Sequence, residues 1–322
     1  MTRIGYHCSH EQYAPSALLK LVRLAAEAGF QSAMCSDHFH PWTDEQGQSG
    51  FAWSWLGAAL EATPLSFGVV TVPGGWRYHP AIIAQAAATL AEMYPGRFWI
   101  APGSGELLNE HIVAQRWPAK DERNARLLEG VQIIRRLWAG ETVTHAGLLQ
   151  VEEAKLYSLP QTPPQLVGAA LSPETAEWMG GWADGLITTV SDRATMEAIV
   201  AAFRRGGGEG KPLYLQAQLA FASTDEAAMQ GAWEQWRTPM LGSDALPELR
   251  TPAQFAAAGA ALSREDVRKR MRVSSDPEQH LRWLEQDLEL GFVEINLHNV
   301  CRDEQERFIE VFGERVVPRV AE

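Results

Sequence analysis

Residues 65–106 read LSFGVVTVPGGWRYHPAIIAQAAATLAEMYPGRFWIAPGSGE, and this stretch decides the fold class. Leu65–Thr71 is a short apolar run with β-branched residues, and Ala81–Tyr94 has helical spacing. Pro95-Gly96 stops that helix, and Phe98–Ala101 is apolar again. Strand, helix and strand in so short a span specify a parallel pair joined by a crossover helix.

The alternation repeats in both directions. Upstream, Arg3–His7 predicts a strand, Pro15–Ala28 a helix closed by Gly29, Ser32–Ser36 a strand and Trp53–Glu61 a helix. Downstream, Asn124–Ala139 places Leu127, Leu128, Val131, Ile134 and Leu137 at helical spacing, and Thr142–Thr144 with Leu149–Val151 frames a small hairpin around His145-Ala146-Gly147. Gln165–Gly168 and Gly185–Thr188 predict strands around a helix opened by Ser172-Pro173-Glu174. Arg193–Arg205 reads as helix, Leu213–Ala220 as strand, Pro277–Leu290 as helix and Phe292–Asn296 as strand. Eight such strands predict an α/β chain folded as a (β/α)8 TIM barrel, with residues 1–322 forming one domain. Between Trp233 and Arg268 the chain is helix-prone but broken by Pro239, Gly242, Pro247 and Pro252, so residues 235–268 read as an insertion near the last strands.

Composition narrows the function. Of 322 residues, 46% are hydrophobic and 12 are Trp, enough for a large core, which excludes disorder. Lys and Arg number 28 against 40 Asp and Glu, a formal net charge of −12, so nucleic acid meets a repulsive field on average and is not an expected partner. Cys8, Cys35 and Cys301 are too few and scattered for a disulfide framework, and no CxxC pair suggests zinc. No signal-like apolar segment opens the chain, and no run of about 18 apolar residues occurs. The expectation is a cytoplasmic protein that does not engage a membrane.

In a parallel α/β barrel, chemistry gathers after the carboxyl ends of the strands. The second predicted strand ends in Ser36-Asp37-His38-Phe39-His40-Pro41-Trp42. A neutral imidazole can take a proton from an alcohol while a carboxylate orients it, and a Trp can wall a planar ligand. The same heptad also suits a plain loop in which Asp37 caps a turn and Trp42 packs on the rim. After the fourth strand, Gly103-Ser104-Gly105-Glu106 lets backbone approach a ligand and sets Glu106 at the mouth, although two glycines there are also ordinary turn chemistry. Arg77, in the Pro- and Gly-rich loop after the third strand, has a bland reading as a partner of a neighbouring loop. Gly168-Ala169-Ala170-Leu171-Ser172-Pro173 leads to a helix N-terminus that could seat a phosphate or simply be capped by Ser172. His38 and His40 form an H-x-H pair, which keeps a metal-dependent hydrolase as a competing class, but Pro41 ends the strand and no other histidine spacing completes a metal set. No metal is therefore expected, and without a G-x-S-x-G elbow a serine hydrolase is weaker still.

Four separated motifs carry a resemblance. They are Glu11-Gln12-Tyr13-Ala14-Pro15; Ser36-Asp37-His38-Phe39 with Pro41-Trp42; Arg77-Tyr78-His79-Pro80-Ala81 with Ala84-Gln85-Ala86; and Gly103-Ser104-Gly105-Glu106 with Asn109-Glu110. Together with Ser275-Asp276-Pro277 and Phe308-Ile309-Glu310 they span nearly the whole chain. The sequence resembles the bacterial-luciferase-like superfamily, and within it the branch of enzymes like the deazaflavin (coenzyme F420)-dependent glucose-6-phosphate dehydrogenases. The resemblance implies a flavin-type coenzyme, F420 or FMN, with its ring in the barrel mouth, and hydride transfer to or from a small organic substrate. It implies His38 as base for an alcohol proton, Trp42 beside the reacting centre, Glu106 as proton donor or acceptor, and Glu11 as a further active-site acid. Asp37, Gly105 and Asn109 match coenzyme contacts, Ala170, Leu171 and Ser172 fall where relatives bind the coenzyme phosphate, and Val70-Thr71 falls where relatives carry a non-proline cis peptide. Relatives are often homodimers, and nothing in the composition opposes one here.

The sequence departs from the sugar-phosphate enzymes where basic residues clamp the phosphate. Asp192 stands where a lysine is expected, Leu246-Pro247 lies near another, and only Arg270 is retained as a substrate-binding cation. Loss of positive charge opposes a phosphate dianion, so glucose 6-phosphate is not the expected substrate. Two readings compete with a dehydrogenase or reductase: an FMN-dependent luciferase-like monooxygenase, and a flavin-binding protein without catalysis.

Overall fold

The computed structural model describes residues 2–241 and 246–320. Eight parallel strands form the barrel: β1 (Arg3–Cys8), β2 (Ser32–Ser36), β3 (Ser66–Thr71), β4 (Phe98–Pro102), β5 (Gln165–Ala169), β6 (Gly185–Thr189), β7 (Leu213–Ala220) and β8 (Glu294–Asn299). Each pairs with the next, β8 returns to β1 with Gly5 opposite Asn296, and β6 pairs with β7 through Ile187 and Tyr214, so the barrel is closed. All eight strands expected from the sequence are present, and the hairpin appears as Val143–Ala146 against Gln150–Ala154, outside the barrel.

Strand alternation sorts the side chains into two cores. Ile4, Tyr6, Cys8, Ala33, Cys35, Phe67 and Val69 point outward beneath the helices, where Leu18, Val22, Leu56, Ile83, Leu127 and Phe308 cover them. Met34, Trp99, Ala101, Val167, Ile187 and Tyr214 fill the barrel axis. The widest of these, Trp99, depends on a missing side chain on the neighbouring strand, where Gly68 is its direct partner. A Cβ on Gly68 would lie 2.0 Å from the Trp99 ring, and the indole fills that space against Tyr214, with ring centroids 4.9 Å apart.

The helices begin as their caps predict. Ser172, Asp192, Thr224 and Asp276 each accept a backbone N–H of the turn they open. The stretch 235–268 lies between β7 and β8, where the chain forms helices Asp225–Trp236, Pro252–Gly259 and Arg264–Arg270; one of its expected breaks, Gly242, lies outside the described residues. Phe255, Met229, Trp236 and Val267 bury themselves against Trp42 and Leu108, so this segment builds an apolar wall over one side of the mouth. A two-residue strand, Arg272–Val273, pairs alongside β7 and was not legible in the sequence. Among the described residues no helix is long and apolar enough to cross a membrane.

The resemblance led to a cis peptide at Val70-Thr71, and the structure corrects this: no cis peptide bond occurs among the described residues. Both residues lie in regular strand pairing, Val70 opposite Ser36 and Ala101 and Thr71 opposite Pro102. The carbonyls of Val70 and Thr71 accept the N–H groups of Asp37 and Gly103 at 3.0 and 2.8 Å. Continuous laddering on both edges keeps the extended trans backbone.

Candidate active site

The loops after β1, β2, β3 and β4 meet at the carboxyl end of the barrel. From the first, Glu11 is buried and its Oε2 accepts the Ser9 hydroxyl at 2.9 Å. From the second comes His38, whose Nδ1 lies 3.5 Å from Glu11 Oε1 and whose Nε2 lies 3.9 Å from Glu106 Oε2. Neither separation is a good hydrogen bond, and His38 Nδ1 and Glu106 Oε2 are both buried without a partner. An oxygen atom about 2.8 Å from each would fit between His38 Nε2 and Glu106 Oε2. The Trp42 ring lies 5.0 Å from the imidazole and is held from behind by Phe255 at 5.2 Å.

Burial pushes the Glu106 carboxyl above its usual range; His38 opposes the rise and Glu11 adds to it. The acid therefore holds its proton to a higher pH than an exposed glutamate does. Glu106 opens the short helix Leu107–Glu110, and Gly105 before it has φ +91°. A Cβ at Gly105 would stand 3.0 Å from Trp117 and 3.1 Å from Val72, so backbone and space both call for glycine there.

Other expected site residues have protein partners. Asp37 is buried, and its carboxylate accepts from Trp53 Nε1, the Thr71 hydroxyl, Arg77 Nη1 and the Tyr78 hydroxyl at 3.1–3.3 Å. Asn109 Oδ1 accepts the backbone N–H groups of Phe39 and His40 at 2.9 and 3.3 Å, which sews the loop after β2 to the loop after β4. Val70 faces the inner core beside Met34 and Ala101. After β5, Ala170 is buried, Leu171 is half exposed, and the Ser172 hydroxyl accepts the Thr175 N–H at 3.3 Å. Arg270 donates Nη1 to the Met240 carbonyl at 2.6 Å on an exposed face. His40 does not converge with His38: its Nδ1 donates to the Leu108 carbonyl at 2.9 Å, and its ring stacks on His111 at 5.2 Å.

Four participants were missed. Arg77, read from sequence as a partner of a nearby loop, bridges three loops: its guanidinium reaches Asp37, its backbone N–H donates to Glu110 Oε2 at 3.0 Å, and its Nε lies 3.5 Å from Glu110 Oε1. Glu110 is buried, and burial raises its carboxyl to about 7 although Arg77 opposes the shift. His7 and His298, at the carboxyl ends of β1 and β8, stack 4.3 Å apart, and burial takes the His298 imidazole down to about 3, so it stays neutral. Only the inward alternation of strand residues signals that last pair; nothing in the spacing joins positions 37, 77 and 110.

An α/β barrel that presents an imidazole between the buried carboxyl of Glu11 and the half-buried one of Glu106, walled by tryptophan at the carboxyl ends of its strands, has the groups an oxidoreductase site needs to handle a proton. The model of the Luciferase-like monooxygenase family matches residues 1–294, and the chain belongs to that family. Its relatives include the F420-dependent glucose-6-phosphate dehydrogenases of Nakamurella multipartita, 34% identical over 99% of this chain and 96% of that protein, and of Kribbella flavida, 35% identical over 98% and 97%. Among solved structures, an F420-dependent secondary alcohol dehydrogenase in complex with an F420-acetone adduct superposes with a TM-score of 0.91 at 29% identity, covering 99% of both chains.

Proposed function

We propose that the chain is an F420-dependent oxidoreductase that interconverts a small, uncharged secondary alcohol and its ketone. The observation that carries this reading is the gap of 3.9 Å between His38 Nε2 and Glu106 Oε2, the latter a buried oxygen without a partner. It accommodates one hydroxyl or carbonyl oxygen.

The mouth fits a flavin-type ring at Gly103, where a side chain would meet the Thr71 carbonyl at 3.9 Å, with Glu106 three residues on and Trp42 beside His38. When bound, the coenzyme supplies a ring carbon that accepts or returns hydride. The residues of this chain handle the proton. In alcohol oxidation His38 Nε2 takes the hydroxyl proton as the adjacent C–H leaves with its electron pair, and Glu11 beside Nδ1 steadies the imidazolium so formed. Glu106, raised by burial, holds a proton to donate toward the oxygen or the ring. Trp42 and the wall from Phe255 keep water away.

An uncharged substrate is favoured over glucose 6-phosphate by the state of the basic side chains. Asp192 is an exposed helix cap that accepts from Thr195, Leu246-Pro247 brings no cation, and Arg270 is engaged by Met240. The deazaflavin is favoured over FMN by the relatives more than 30% identical, which are named for F420.

The test is twofold. Quenching of tryptophan fluorescence on titration with F420, and separately with FMN, identifies the coenzyme. Bleaching of oxidised F420 is then followed with a series of short secondary alcohols and with glucose 6-phosphate. Tight binding of F420 and turnover of the alcohols are expected. Binding of FMN alone would replace the reading with a flavin monooxygenase, turnover of glucose 6-phosphate alone would replace the substrate class, and coenzyme binding with no turnover in either direction would leave a non-catalytic binding protein.

A further inference from the structure

We infer that Arg77 is a positioning residue that sets the separation of His38 from Glu106, an inference that rests on the reading of those two side chains as the proton-handling pair. Arg77 comes from the loop after β3, while the pair comes from the loops after β2 and β4. Its side chain is 7% exposed, and its polar groups reach Asp37, next to His38, and Glu110, one helical turn from Glu106.

Toward His38, Arg77 Nη2 donates to the Asp37 carbonyl at 2.5 Å and Nη1 to Asp37 Oδ1 at 3.3 Å. The Asp37 carbonyl belongs to the peptide group whose nitrogen is that of His38, so the bond fixes the plane from which the imidazole projects. The Asp37 N–H donates to the Val70 carbonyl at 3.0 Å and the Ser49 hydroxyl to the His38 carbonyl at 2.8 Å, leaving that peptide little freedom. Toward Glu106, Arg77 holds Glu110 through its backbone N–H at 3.0 Å, and its guanidinium lies beside the same carboxyl, with Nε 3.5 Å from Oε1 as a charge contact and not a hydrogen bond. The Glu110 N–H donates to the Glu106 carbonyl at 3.2 Å across a single helical turn, so a fixed Glu110 fixes Glu106.

Stability alone would be served as well by apolar side chains of similar volume, because a buried ion pair offsets its own desolvation only when its geometry is good. Here one bond is aimed at the main-chain carbonyl beside His38 and another engages the carboxyl one helical turn from Glu106, and a catalytic pair gains from being held to fractions of an ångström. Tyr78, stacked under the guanidinium at 4.6 Å and bonded to Asp37 Oδ1, completes the seat.

The test uses Arg77→Met, Arg77→Lys and a remote control, Arg135→Met, whose ion pair with Asp184 lies at the opposite end of the barrel. For each, kcat and KM for the alcohol, the Kd for F420 and the His38 ring resonances of the coenzyme-free protein are recorded at one pH. Arg77→Met is expected to lower kcat roughly 30- to 100-fold, with KM and coenzyme Kd within about threefold, to move the His38 resonances and to leave a cooperative melt; Arg77→Lys recovers part of kcat, and Arg135→Met changes none of these. If Arg77→Met does not fold, Arg77→Lys carries the test, with a loss of about 5- to 30-fold in kcat at near-constant KM. Unmoved His38 resonances with kcat near wild type overturn the inference, and so does a rise in KM and coenzyme Kd in step with the loss of kcat. Should the wild-type chain itself fail to turn over with F420, the functional reading falls while the His38 resonances still report on the positioning.

Discussion

Replacing Glu110 by Gln isolates the titration of one buried group. Glu110 is 1% exposed, and its carboxyl rises from 4.5 to about 7 through burial, with Arg77 opposing and Asp37 and Glu106 reinforcing. A carboxyl raised on folding is held as the neutral acid by the folded state more tightly than by the unfolded chain. Its contribution to stability is therefore fully present below about pH 4.5 and is lost as pH rises through about 7. The rise corresponds to on the order of 3 kcal/mol. Glutamine has nearly the same shape and keeps an oxygen for the Arg77 N–H, but it does not titrate. Urea unfolding followed by tryptophan fluorescence, at several pH values from about 5 to 8, should show wild type losing stability relative to Glu110→Gln by about that amount, with the steepest change near pH 6, between the unfolded and folded values, and a levelling off above about pH 7. Other titrating groups are common to both proteins and largely cancel in the difference. Two profiles that run parallel across the range would refute the account of Glu110 as a desolvated acid.

Three further outcomes follow from the same geometry. Asp37→Asn leaves the Arg77 charge short of a partner and turns an amide toward groups that are all donors, so a loss of about 3–5 kcal/mol is expected from urea or thermal unfolding; a melt unchanged from wild type would contradict the role of Asp37 as a hub. Gly105→Ala forces a side chain into positive φ against Trp117, costing about 1–2 kcal/mol and weakening F420 binding in a fluorescence titration. His38→Ala should reduce kcat roughly 100- to 10,000-fold with coenzyme Kd nearly unchanged, and a kcat close to wild type would remove His38 from the proposed mechanism.

The barrel was legible because its signal is local. The strands, of five to eight residues, are short runs dominated by apolar residues, and several of the following helices open on a capping residue and a proline, as Ser172-Pro173 and Asp276-Pro277 illustrate. Arg272–Val273 escaped because two residues have no period. At the site, His38, Trp42 and Glu106 stand in short motifs at strand ends, where topology alone brings them together. The Asp37–Arg77–Glu110 bridge was not legible: its members are 40 and 33 residues apart, and nothing in the spacing of charges along a chain says which will be desolvated in one place. For the same reason Asp37 and Asn109 were expected at the coenzyme, whereas their oxygens are bonded to protein donors. A polar residue beside a site can bind a ligand or hold the loop that does, and sequence does not separate the two.

The indole of Trp99, seated in the gap left by Gly68, has a kinetic corollary. It stoppers the barrel on its axis, with Met34, Val167, Ile187 and Tyr214 packed around it, so ligands have no passage through the floor. Coenzyme and substrate must then share one doorway, and whichever lies deeper has to arrive first and depart last. If the coenzyme binds against Glu106 beneath the substrate, as proposed, it would be the leading reactant. Steady-state patterns should then be ordered sequential, with the ketone, which binds the complex of the reduced coenzyme, inhibiting noncompetitively against both the alcohol and the oxidised coenzyme.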